Sequence, residues 1–113
     1  MKCIFLSDDL IFTQQVSNAI AVSGCEYQTV ANLDQARSVI NDEPKPNALV
    51  VDLNLPGLDF SAVVELASQE TARCIGVASH VHQAKIDRAK EAGFDHILTR
   101  GQIADRLGPI IKD

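Results

Sequence analysis

Two carboxylate positions carry the chemical interest of this chain. Asp52 closes the apolar run Ala48-Leu49-Val50-Val51, and a Pro56-Gly57 turn follows shortly after it. Asp8 and Asp9 come one residue after another short apolar run, Cys3-Ile4-Phe5-Leu6, with Ser7 between. Two or three carboxylates gathered into one cleft repel each other and require a cation. Oxygen-only ligands with room for water favour Mg²⁺ or Mn²⁺ over zinc. Such a metal would neutralise the oxygens of a phosphoryl group while an Asp attacks phosphorus as a nucleophile. Taken singly, each feature has a plain structural use. Asp8 or Asp9 is as good a helix cap as a ligand, and Pro56-Gly57 alone is only a turn. Their joint meaning depends on whether the elements around them bring them together.

Those elements are readable. Cys3 to Leu6 predicts a first strand, and Ile11 to Val22 a helix with Phe12, Val16, Ala19 and Ile20 on one face and Gly24 just past its end. Tyr27 to Ala31 reads as a weaker, partly polar strand, as an edge strand does. Asn32 with Gln35 three residues on resembles a capping box that opens a helix to about Asn41. Pro44 and Pro46 then enforce a loop. Ala48 to Val51 shows no alternation, so it predicts a strand buried on both faces. A helix is expected over Ser61 to Gln69, a strand over Arg73 to Ala78, a helix over Gln83 to Ala92 stopped by Gly93, and a strand over His96 to Leu98. In Gly101 to Asp113, Gly108-Pro109 is expected to interrupt the pattern. That leaves a short last helix carrying Leu107, Ile110 and Ile111, with apolar surface near Leu98, Ile110 and Ile111 partly uncovered.

Strands alternating with helices imply a parallel sheet with helices on both faces. Right-handed crossovers at this size favour a flavodoxin-like α/β three-layer sandwich with strand order 2-1-3-4-5. Its switch point lies between the first and third strands, where Asp8 and Asp52 both stand at carboxyl ends. The 113 residues suffice for one domain, taken as residues 1–113. Apolar residues at 46% and charged residues at 22% fit a globular chain. The net charge of −5 argues against a nucleic-acid surface. No apolar run approaches the roughly 20 residues that cross a bilayer, so no membrane role is expected. Cys3, Cys25 and Cys74 form no CxxC pair and read as reduced, buried residues of a cytoplasmic protein. His80, His82 and His96 fall on different segments and read as surface or loop residues.

The block Asp52-Leu53-Asn54-Leu55-Pro56-Gly57-Leu58-Asp59 and the segment Ala89-Lys90-Glu91-Ala92-Gly93-Phe94 carry a family resemblance. Over essentially its whole length the chain resembles the receiver domain of two-component response regulators (CheY-like). The resemblance implies that a histidine kinase phosphorylates Asp52. It implies Mg²⁺ held by an acidic pair after the first strand, by Asp52 and by the backbone carbonyl of Asn54. It further implies a Thr or Ser ending the fourth strand that swings toward the phosphoryl oxygens, a Lys ending the fifth strand that pairs with them, and a mobile aromatic on that strand.

Against that pattern the sequence keeps the acceptor and departs elsewhere. Aligned without a gap, Ser7 and Asp8 occupy the acidic-pair positions; a one-residue gap makes the pair Asp8 and Asp9, at the cost of shifting the helix's apolar face. Ala78 stands at the switch-hydroxyl position, and Ser79 substitutes only if the loop turns it inward. Arg100 stands where Lys is expected, keeping the charge on a longer planar fork. Gly101 replaces a Pro and Ile97 the aromatic. The missing hydroxyl alone removes a charge-assisted hydrogen bond worth roughly 1.5–3 kcal/mol in the modified state.

The expectation is therefore a receiver-like protein of phosphorelay signal transduction, not an enzyme, with a degenerate switch (a pseudo-receiver) acting through protein–protein contacts. Expected partners are a histidine kinase or another signalling protein, and a second copy through the face of fourth helix, fifth strand and fifth helix. The alternative is a fully functional response regulator phosphorylated on Asp52. A third reading, an Asp-dependent phosphohydrolase or a flavin or nucleotide binder, lacks a Gly-rich loop after the first strand and a second Asp two residues beyond Asp52.

Overall fold

The apolar runs become strands and the 3.6-periodic segments become helices, in strict alternation. The computed structural model describes residues 1–112. In chain order the elements are β1 (Lys2–Leu6), α1 (Leu10–Val22), β2 (Glu26–Val30), α2 (Leu33–Val39), β3 (Ala48–Asp52), α3 (Phe60–Gln69), β4 (Arg73–Ala78), α4 (Gln83–Ala92), β5 (His96–Thr99) and α5 (Ile103–Lys112). The five strands are all parallel and lie in the order β2-β1-β3-β4-β5, as expected for a flavodoxin-like sandwich.

Strand alternation divides the core into two layers. Cys3, Phe5, Ala48, Val50, Ile75, Val77 and Leu98 face α1 and α5, where Phe12, Val16, Ile20, Ile103, Leu107 and Ile111 meet them. Ile4, Leu6, Leu49, Val51, Cys74 and Ala78 face the opposite layer, packed by Ala36 and Ile40, by Val63 and Leu66 of α3, and by Ile86 and Ala89 of α4. β3 is buried at every position because it has a strand on each side and a helix layer on each face. All three cysteines are free and buried. Burial pushes the Cys74 thiol up to about 12, with Asp95 adding to it, so it is not a nucleophile at neutral pH.

Helix ends follow their local chemistry. Asp9 caps α1, its Oδ1 accepting from the Phe12 N–H at 3.0 Å. Asn32 caps α2 by accepting from the Gln35 N–H at 2.9 Å, while the Gln35 side chain reaches back to the Ala31 N–H at 2.8 Å. α4 stops at Gly93, whose φ of 102° suits a residue without Cβ.

The last helix departs from the sequence reading. At ten residues it is shorter than α1, but it runs through Gly108-Pro109 without interruption. A proline in a helix interior costs about 3 kcal/mol. Ile103, Leu107 and Ile111 recur every four residues and are all buried, each contributing about 1.5–3 kcal/mol, so burial outweighs the break. Gly108 has its own reason to be small. A Cβ there would lie 2.9 Å from Ser23 Cβ, so its absence lets α5 settle against the end of α1. In consequence Leu98 and Ile111 are covered, and of the apolar surface expected to be partly uncovered there only Ile110 is half-buried. The exposed large apolar side chains include Leu10, Ile11, Val22 and Val81 instead.

Candidate functional site

The β1–β3 register places Leu6 beside Val51, so the next residues, Ser7 and Asp52, emerge together at the carboxyl edge of the sheet. The Ser7 hydroxyl donates to Asp52 Oδ2 at 2.7 Å. The Asn54 N–H donates to Asp52 Oδ1 at 2.9 Å, because the chain turns sharply after β3. Asp52 is only 2% exposed, which is unusual for a carboxylate outside an ion pair with a Lys or Arg side chain. Among the described residues, no Lys or Arg forms an ion pair with it. Burial pushes its carboxyl above the ordinary value. The Ser7 hydroxyl and Asn54 N–H pull it back in part, and the negative charges of Asp9 and Asp8 push it up again.

The other expected residues are placed as follows. Asp9 is occupied as the α1 cap, and its N–H donates to Ser7 Oγ at 3.2 Å. Asp8 is exposed and borders an open cleft of about 430 Å³ with Asn32, Asp34, Pro56 and Asp59. Ala78 is buried in the layer facing α2, α3 and α4. Ser79 begins the loop to α4, and its hydroxyl donates to Asn54 Oδ1 at 3.2 Å. Arg100 follows β5, where its Nε donates to Gln15 Oε1 at 2.8 Å and its guanidinium lies 6.0 Å from the centre of the Phe12 ring. The site thus gathers Ser7, Asp52 and Asn54 in direct contact. Arg100 is held by α1.

One role escaped the sequence. Asn54 was expected to act through its backbone carbonyl, yet its side chain ties the β4–α4 loop. Its Oδ1 accepts from the Ser79 N–H at 3.0 Å and the His80 N–H at 3.2 Å as well as from the Ser79 hydroxyl. The available signal was an Asn in a turn, a type that pairs readily with nearby backbone. Its partners lie 25 and 26 residues away, beyond any local pattern.

Solved structures that share this arrangement of elements include response regulators. One from Thermotoga maritima aligns with a TM-score of 0.79 at 14% identity, over 99% of this chain and 98% of that one. The receiver domain of a Francisella response regulator aligns at 0.74 with 20% identity, over 98% and 96%. The fold is that of a receiver domain. A third receiver-fold structure, a response regulator protein from Burkholderia pseudomallei, carries a phosphorylated aspartic acid, a calcium ion and citrate. It aligns at 0.71 with 18% identity, over 98% of this chain and 70% of that one. No protein-family model matches the chain, and no curated protein matches it in sequence.

The donors at this edge of the receiver fold suit a hard cation. The available ligands are all oxygen, and the charges of Asp8 and Asp9 raise the cost of ionising Asp52, a cost a divalent cation would relieve. Among the described residues, however, no three His, Cys, Asp or Glu side chains converge closely enough to hold an ion unaided. A cation here would rest on Asp8, Asp52 and the Asn54 carbonyl and keep several waters, as Mg²⁺ does. No described helix is long and apolar enough to cross a membrane.

Proposed function

We propose that this chain is a receiver-like signalling protein of a phosphorelay whose acceptor, Asp52, is retained and whose switch is degenerate. The observation that carries the reading is the Asp52 carboxylate itself. It is buried at the carboxyl end of the central strand of a receiver fold and oriented by Ser7 and Asn54, and no Lys or Arg among the described residues forms an ion pair with it. An unpaired buried carboxylate costs stability, and such costs persist where a site needs them.

In the transfer, a carboxylate oxygen of Asp52 forms a bond to phosphorus. The phosphorus–nitrogen bond of a phosphohistidine on the kinase breaks, and its imidazole leaves with the electron pair. Mg²⁺, when bound by Asp8, Asp52 and the Asn54 carbonyl, supplies charge neutralisation at the phosphoryl oxygens. Ser7 and the Asn54 N–H hold the carboxylate oriented. Ser7 adds no second negative charge, so metal affinity is weak.

Readout by the usual route is poor. Ala78 has no hydroxyl to follow the phosphoryl group and is packed in the core. Arg100 is engaged with Gln15 and Phe12. A switch requires contacts that differ between its states, and these residues offer few. Function then lies in contact with other signalling proteins in the cytoplasm, a compartment suited to three buried thiols. A second copy is the other expected partner, through α4, β5 and α5, where Ile97 and Ile110 are partly exposed.

Beryllofluoride with Mg²⁺, followed by backbone amide shifts, tests this. Changes confined to the neighbours of Asp52, and absent in Asp52→Asn, are expected. A broad shift reaching β5 and α5 would favour the fully functional regulator instead. Hydrolysis of a generic phosphate ester, lost in the same variant, would favour the hydrolase. Silence at Asp52's own neighbours would remove the phospho-acceptor reading.

A further inference from the structure

We infer that the Asn54 side chain is a lock on the β4–α4 loop that keeps the Ser79 hydroxyl from replacing the one missing at Ala78. The inference rests on the reading of Asp52 as phospho-acceptor. Ser79 is the residue immediately after Ala78, so it carries the hydroxyl nearest in the chain to the missing one. Its single hydroxyl proton is instead committed to Asn54 Oδ1.

The same oxygen also receives the N–H groups of Ser79 and His80, giving three hydrogen bonds at 3.0 to 3.2 Å. A carbonyl oxygen has two lone pairs, so this acceptor is saturated. Turning the hydroxyl toward Asp52 means giving up this bond, while the two N–H bonds to the same oxygen hold the Ser79 backbone and with it the direction of its Cβ. At its other end Asn54 is fastened to Asp52 through its own N–H. Asn54 is thus a positioning residue lying between acid and loop. Its side-chain oxygen fixes the loop in one conformation whatever the state of Asp52. The lock and Ala78 act in the same direction: one lacks the hydroxyl, the other sequesters its nearest substitute.

Three variants of the whole chain test the lock: Asn54→Ala, Asn54→Asp and Asn54→Ala with Ser79→Ala. Asn54→Ala keeps the backbone carbonyl and N–H at the site and removes the side-chain carboxamide with its acceptor oxygen. Amide exchange at Ser79 and His80 should quicken about tenfold, the scale expected for losing a protective hydrogen bond. Asn54→Asp, which retains an Oδ acceptor, should restore slow exchange. On adding beryllofluoride and Mg²⁺, the amides of Ser79 to His82 should stay still in the native chain and move in Asn54→Ala. They should be still again when Ser79→Ala is added, which a purely structural role for Asn54 does not predict. Movement of the loop in the native chain, or unchanged exchange in Asn54→Ala, overturns the lock. If the neighbours of Asp52 fail to respond in every variant, the acceptor reading has failed and the inference falls with it, a result the exchange rates keep distinct.

Discussion

Asp52 has two flanks, and they have been treated differently. Toward β1, the Ser7 hydroxyl touches the carboxylate at 2.7 Å, and the turn after β3 supplies the Asn54 N–H. Toward β4 and β5, Ala78 is absorbed into the core and Arg100 is bound to α1 through Gln15 and Phe12. One flank orients the carboxylate. The other has been given over to holding helices on the sheet. Under the proposed function this difference separates accepting a phosphoryl group from reporting it: the first needs only groups around the carboxylate, the second needs a group free to move.

The framework role of the β5 flank makes the largest prediction. Phe12 is 1% exposed, packs edge-on against Phe5 at 6.1 Å between ring centres, and lies beneath Arg100. Phe12→Ala should cost about 3–5 kcal/mol in urea unfolding, as large-to-small changes in a closed core do. A loss below that range would mean α1 is held chiefly by other contacts, and the contrast between flanks would weaken.

The β1 flank predicts effects that depend on charge. Ser7→Asp brings a second carboxylate against buried Asp52 and, without divalent cations, should destabilise by about 1–3 kcal/mol. Added Mg²⁺ should recover that loss and bind more tightly than to the native chain, read by titration of the melting temperature. No recovery would show that the oxygens at this edge do not form a cation site. Asp52→Asn should act in the opposite sense and raise the melting temperature at neutral pH by a few degrees. Folding raises the Asp52 pKa above its ordinary 3.8, so the folded chain holds this proton more tightly than the unfolded one. Below that value both states are protonated and the substitution changes little. As pH rises from 3.8 through the raised folded value, the native chain loses the stability of the protonated form, and the variant does not. The gap between the two melting curves should open over that window and then level off. A gap that is constant with pH would place its origin in packing.

What could be read in the sequence was what local chemistry decides. The alternation of apolar runs and helical periods gave β4 and α4 their observed bounds, and Gly93 marked the left-handed stop after α4. Asp52 was recognisable because an apolar run ended on it before a Pro-Gly turn. The α5 reading erred because a local rule about proline was applied without the burial of Ile103, Leu107 and Ile111, which only the packed structure reveals. Asn54's grip on the β4–α4 loop and Arg100's attachment to Gln15 were hidden for a related reason. Both are side-chain contacts between residues far apart in the chain, and no period or spacing encodes them.

The smallest predicted effect examines that Arg100 attachment. Its guanidinium is exposed, and its contacts are one hydrogen bond to Gln15 and a cation–π contact with Phe12. Arg100→Ala should therefore cost only about 0.5–1 kcal/mol, the usual range for such contacts at an exposed site. The informative measurement is the rate at which acetyl phosphate labels Asp52 in the same variant. If Arg100 serves α1, labelling proceeds at the native rate, because no contact to the carboxylate has been removed. If labelling falls sharply while stability scarcely changes, the side chain leaves Gln15 during transfer and stands in for the expected lysine. Gln15→Ala then distinguishes a committed arginine from a poised one: releasing Arg100 from its hydrogen bond should leave labelling unchanged in the first case and speed it in the second.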